Sequence, residues 1–112
     1  MSPPRSDARL RRPNDPAVLI LTSLAGGTKH GYALSKDITE FAGVTLSPGT
    51  LYGAITRLEE SGMITPELEV NRRRPYRITA SGTAALAEVV AEMTRLATVG
   101  SQRLGSITLR PA

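Results

Sequence analysis

Apolar positions along this chain follow a helical rhythm, break once into alternation, and then return to the helical one. From Pro16 the run AVLILTSL is dense in apolar residues and stops at Gly26 and Gly27, which predicts a largely buried helix. Asn14 or Asp15 stands at its N-cap, and Pro16 fits the first helical position because its missing N–H has no partner there anyway. Leu34, Ile38 and Phe41 then recur at i, i+4, i+7, with Lys36, Asp37 and Glu40 facing out. This spacing predicts an amphipathic helix that starts near Lys29, His30 and Gly31 and ends near Gly43. The third helix opens on Ser47 as N-cap and Pro48, and Leu51, Ala54, Ile55 and Leu58 form its apolar face.

After Gly62 the period changes. Over 63–70, Ile64, Leu68 and Val70 share one side and Thr65, Glu67 and Glu69 the other, as in a half-buried strand, with Pro66 marking an edge or a bend. A second short strand follows, with Tyr76 and Ile78 pointing inward, so the pair predicts a hairpin tipped by Arg72, Arg73 and Arg74. Thr79 then caps a last amphipathic helix over 80–99, whose stripe is Leu86, Val89, Val90, Met93, Leu96 and Ala97. Past Gly100 the periodicity fades, and 100–112 is expected to be a disordered tail. Residues 1–13, rich in Pro and Arg, are expected to be a disordered basic arm. The fold class is thus mainly α with a small β-hairpin.

The polar face of the third helix is unusual. It carries Gly49, Gly53, Thr56 and Glu60, flanked by Thr50, Tyr52 and Arg57. Two glycines on an exposed face lower helix propensity by roughly 1 kcal/mol each relative to Ala. Close approach of another surface, such as a nucleic-acid groove, would justify that cost. Two helices joined by a short Gly-containing turn outline a helix-turn-helix, and a basic hairpin directly after it is a wing.

Composition narrows the function classes. The net charge is +4, and of 14 basic residues only Lys29 and Lys36 are lysines. Guanidinium groups match phosphate geometry, so this balance suits a phosphate-bearing partner. Aromatics make up 4% of the chain and Trp is absent, which favours a core completed by a second copy. There is no Cys and one His, so disulfides and thiolate metal sites are excluded, and His30 is expected to cap a turn. No carboxylate pair or Gly-rich phosphate loop suggests an enzyme or a cofactor. No apolar run approaches the ~20 residues of a membrane span, and 1–13 is too polar for a signal peptide, so a cytoplasmic protein is expected.

Three stretches, HGYALSKDI from His30, LSPGTLYGAITRLEESGMI from Leu46 and RRRPYRITASGTAAL from Arg72, closely resemble the PadR family of bacterial transcriptional regulators. With the leading helix the resemblance spans about residues 15 to 99. It implies a winged helix-turn-helix over 14–79 with a C-terminal dimerisation helix over 80–99, binding double-stranded DNA as a homodimer. It implies a repressor, usually one released by a small molecule. The operator is expected to be palindromic, and a pocket for a small hydrophobic effector would lie between the paired helices near Val89, Val90, Met93, Leu96 and Ala97, a stripe that otherwise reads as dimer core. It also implies that Ser47, Pro48, Gly49, Thr50, Tyr52 and Arg57 lie at or beside the DNA, with the wing arginines on phosphate. Gly53 and Thr56 share that helix face, and Arg77 adds to the basic wing. Gly53 stands where family members often carry Pro, Pro75 replaces the more usual Lys or aromatic residue, and without Trp a Trp-lined effector site is not expected. A second reading stays open: a winged-helix protein-interaction module that never reads DNA, to which Glu60, Glu67 and Glu69 would contribute.

Overall fold

The computed structural model describes residues 14–109. The elements in chain order are α1 (Pro16–Ala25), β1 (Lys29–His30), α2 (Gly31–Ala42), α3 (Pro48–Glu60), β2 (Ile64–Pro66), β3 (Pro75–Ile78) and α4 (Ala80–Leu109). The basic arm expected at 1–13 and the chain end beyond 109 lie outside the described residues.

Local signals account for most boundaries. Asp15 caps α1, its side chain accepting from the Ala17 N–H at 2.8 Å. Ser47 caps α3 by accepting from Thr50 N–H at 3.2 Å. Gly43 closes α2 at φ 67, the left-handed conformation that a side chain disfavours. The three helices bury one core, built from Val18, Ile20, Leu21 and Leu24 of α1, Leu34 and Ile38 of α2, and Leu51, Ile55 and Leu58 of α3. Each such aliphatic side chain contributes roughly 1.5–3 kcal/mol on burial. The fully buried Ser23 is satisfied by donating to Asp37 Oδ2 at 2.6 Å, which staples α1 to α2.

The strands form one antiparallel sheet in the order β1-β3-β2. Lys29 pairs with Tyr76 and His30 with Pro75, while Ile64 pairs with Ile78 and Pro66 with Tyr76. The sequence does not predict β1, since two residues carry no period to read. The strand expected over 63–70 is shorter than its alternation suggests. It ends at Pro66, whose nitrogen cannot donate to a ladder, and Leu68 and Val70 are 87% and 58% exposed. The inward side expected for them is therefore corrected. Phe41, placed on the apolar face of α2 by spacing, is also exposed, in the last turn of its helix.

The last helix departs furthest from expectation. It continues unbroken to Leu109, so residues 100–109 are helical and not a disordered tail. Gly100 and Gly105 each cost about 1 kcal/mol of propensity, but neither adopts the left-handed conformation that would end the helix, and proline first recurs at Pro111. Leu86 and Val89 are buried in the chain's own core, with Met93 packed against it. Val90, Leu96 and Ala97 are exposed, as are Val99 and Ile107. The stripe 86–97 therefore splits between its own core and solvent.

Candidate nucleic-acid interface

The exposed face of α3 carries Pro48, Gly49, Thr50, Tyr52, Thr56 and Arg57, with the cap residue Ser47 beside them and Gly53 half-buried. Several of these side chains are already engaged locally. Ser47 Oγ donates to Thr50 Oγ1 at 3.0 Å, and Thr56 Oγ1 donates back to the Tyr52 carbonyl at 2.9 Å. A Cβ at Gly49 would meet nothing within 4 Å, and one at Gly53 would lie 3.5 Å from Arg57 Nη1. The face is therefore smooth near its N-terminus, and the Arg57 guanidinium lies back along it.

The wing rises beside this face. Val70 and Arg73 exchange two backbone hydrogen bonds of 2.9 Å across Asn71 and Arg72, whose φ values are 52 and 65. Two consecutive positive φ values in a two-residue loop define a type I′ turn, the hairpin turn whose twist matches its strands. Asn tolerates this conformation and Arg does not favour it.

The four wing arginines have different fates. Arg77 Nε donates to Glu67 Oε2 at 3.1 Å, and Arg74 Nη1 donates to the Glu67 carbonyl at 3.0 Å. Both guanidiniums are thus partly engaged in bracing the wing. Arg73 lies over the Tyr32 ring, 5.8 Å from its centroid, with Nη1 3.3 Å from His30 Nε2. Arg72 projects from the turn with no partner among the described residues.

Helix face and wing meet in a cleft of about 280 Å³ lined by His30, Gly31, Tyr32, Tyr52, Tyr76 and Arg72, Arg73 and Arg74. Of the residues singled out from sequence, the cleft brings together Tyr52 and the three adjacent arginines. Ser47, Thr50, Thr56, Arg57 and Arg77 lie outside it. Sequence reasoning misses Tyr32 and Tyr76 as lining residues and treats His30 as a cap alone. His30 does cap α2, its Nδ1 accepting from Ala33 N–H at 3.3 Å, but its ring also stacks near Tyr32 and faces the wing. The β1–β3 pairing puts it there. Burial raises the Tyr76 phenol above its ordinary pKa, and the nearby Glu59 carboxylate adds to this while Arg74 opposes it.

Among the described residues no helix is long and apolar enough to cross a membrane, and no group of three or more His, Cys, Asp or Glu gathers to hold a metal.

Comparison with known proteins agrees with this architecture. The chain is 40% identical over 72 residues to the transcriptional regulator Rv3488 of Mycobacterium tuberculosis, an alignment covering 62% of this chain and 66% of that protein. It is 41% identical over 85 residues to a 37.1 kDa protein in transposon TN4556 of Streptomyces fradiae, covering 76% of this chain and 25% of that one. The chain thus spans between a quarter and about two thirds of these two relatives. Among solved structures, a PadR family transcription regulator from Clostridium difficile superposes with a TM-score of 0.71 at 26% identity, covering 80% of this chain and 97% of that one. A transcriptional regulator from Clostridium thermocellum superposes at 0.67 with 30% identity, over 78% of this chain and 87% of the other. The model of the transcriptional regulator PadR-like family matches residues 20–88. The chain belongs to the PadR-like family, whose members are transcription regulators and not enzymes.

Proposed function

We propose that this chain is a sequence-specific repressor that binds a palindromic operator as a homodimer. The observation that carries the reading is the shared cleft, in which a smooth, exposed helix face adjoins a hairpin carrying three consecutive arginines. α3 would enter a major groove and the wing would lie along the flanking backbone, with half-sites about one helical turn apart. Arg57 is the candidate for a bidentate guanine contact, while Thr50, Tyr52 and Thr56 offer less directional contacts. Gly49 and Gly53 would permit close approach, so groove shape would carry part of the specificity. Phosphate affinity would come mainly from Arg72 and Arg73, since Arg74 and Arg77 are partly held by Glu67.

The exposed apolar positions of α4 support pairing with a second copy. Leu96 and Ile107 are 75% and 64% exposed, and they lie about three turns apart on one face. A small hydrophobic effector would sit between the paired helices near Val90, Met93 and Leu96, where binding would alter the spacing of the two recognition helices.

The test is a salt titration of binding to palindromic duplex DNA. Replacing Arg72, Arg73 and Arg74 by Ala is expected to weaken binding and reduce the slope of log K against log salt by about 0.9 for each phosphate no longer neutralised. Unchanged affinity and slope would overturn the wing assignment. Failure of the intact chain to retard duplex DNA at low salt would favour a protein-interaction module instead.

A further inference from the structure

His30, the one histidine of the chain, stands between two hydrogen-bond donors. The Ala33 backbone N–H donates to its Nδ1 at 3.3 Å, and across the ring Nε2 lies 3.3 Å from Nη1 of Arg73. A guanidinium has no acceptor atom, and a neutral imidazole has one lone-pair nitrogen and one N–H. Only one of the two neighbours can therefore be served. The Ala33 N–H is a first-turn donor with no intrahelical acceptor, so the cap holds the lone pair on Nδ1. The proton then sits on Nε2, beside a guanidinium that is itself exposed to solvent.

Two donors from separate parts of the fold thus converge on one spot. Tyr32 holds both in place: its ring is 16° from parallel with the imidazole, at 6.4 Å between centroids, and the Arg73 guanidinium lies over it at 5.8 Å. The complementary ligand is an anion that accepts from both, and the two unesterified oxygens of one phosphodiester suit it. Resting on the DNA reading above, we infer that His30 and Arg73 grip a single backbone phosphate together. Arg73 supplies the charge. His30 supplies an uncharged, directed donor from the α2 side, which fixes where along the backbone the wing sits.

The single histidine makes this testable on the intact chain, prepared without a histidine tag. Long-range nitrogen–proton NMR of the imidazole should show the Nε2–H tautomer in the free protein. Mixed-sequence duplex DNA at low salt should shift Nε2 far more than Nδ1, and Arg73→Ala should diminish that shift. In binding assays His30→Asn, whose amide oxygen keeps the capping acceptor, should bind duplex about 10-fold more weakly with an unchanged salt slope. Arg73→Ala should lower the slope by about 0.9, and the double variant should lose less than the product of the two single losses. The inference is overturned by the Nδ1–H tautomer, by wild-type affinity in His30→Asn, or by losses that multiply. If the unaltered chain binds no duplex at all, the DNA reading itself falls, and this inference with it.

Discussion

The Tyr52 phenol lies against the Cα of Gly31, so close that a Cβ there would overlap its hydroxyl and ring. This contact joins the first residue of α2 to the exposed face of α3 and sets how far the tyrosine reaches toward the wing. Because the far end of a side chain can swing away, Gly31→Ala should leave the thermal midpoint within a few degrees. It should nonetheless turn Tyr52 out of the cleft, visible as altered tyrosine fluorescence, and weaken duplex binding by about 3- to 10-fold. Unaltered fluorescence and affinity would mean that Tyr52 has no fixed place in the interface.

Gly82 makes a similar contact with a different cost. A Cβ there would run into the Met63 carbonyl oxygen and press on Ile78, and backbone cannot step aside as a phenol can. That carbonyl also accepts from Thr79 N–H at 3.0 Å, tying the start of α4 to β2. Gly82→Ala should therefore destabilise by about 1–3 kcal/mol, lowering the midpoint of thermal unfolding by about 4–8 °C per kcal/mol. A midpoint equal to that of the unaltered chain would refute this packing.

At the tip of the wing, backbone preference and charge pull apart. Arg72 sits at φ 65 in the second position of a type I′ turn, where Gly is preferred. Arg72→Gly should raise stability slightly, by up to about 1 kcal/mol, while weakening duplex binding and flattening its salt dependence. A loss of stability together with unchanged binding would show that the arginine serves the turn and not the partner.

Tyr76 links the cleft to alkaline pH. Its folded pKa is raised above the ordinary value, so the folded state holds the phenolic proton more tightly than the unfolded state does. The contribution is fully present below the unfolded pKa, about 10, and is lost as pH rises from there through the folded value. Stability should thus fall more steeply above about pH 10 in the unaltered chain than in Tyr76→Phe. The tyrosinate absorbance missing from that variant should be seen to titrate late. Parallel stability curves would remove the linkage.

The outer half of α4 can be tested through assembly. Leu96→Glu or Ile107→Glu should shift the chain toward monomer in light scattering, with little change in the midpoint of helix loss at high dilution. Binding to a duplex with two half-sites should drop by about 100-fold or more, while binding to a single half-site should hold. A dimer that survives both charges would place the pairing surface elsewhere.

The elements marked by local chemistry are legible in the sequence. Asp15 with Pro16, Ser47 with Pro48, and Gly43 each mark a helix boundary that residues adjacent in sequence decide, and the buried faces of α1 and α3 follow from their apolar spacing. Long-range pairing is not legible. β1 consists of two residues that become a strand only because β3 lies beside them, far along the chain, as in the Lys29–Tyr76 pair. Alternation over 63–70 suggests a longer strand than Pro66 permits, and glycines in α4 suggest an end that tertiary context does not impose. The basic wing is readable as charge. That Glu67 engages Arg74 and Arg77 while Tyr32 and His30 engage Arg73 is not, since these contacts depend on the sheet register.

The partners of these arginines bear on how tightly the wing can hold anything. An unrestrained guanidinium gives up rotamer freedom when it docks, at about 0.5–1.5 kcal/mol for each flexible side chain immobilised. Arg73 and Arg74 have surrendered part of that freedom already, during folding, against Tyr32 and the Glu67 carbonyl. The entropy lost in ordering them therefore falls on folding and not on the encounter, and such preorganisation would slow release more than it would speed arrival. Among the wing-tip arginines, Arg72 at the turn still has its full entropy to lose.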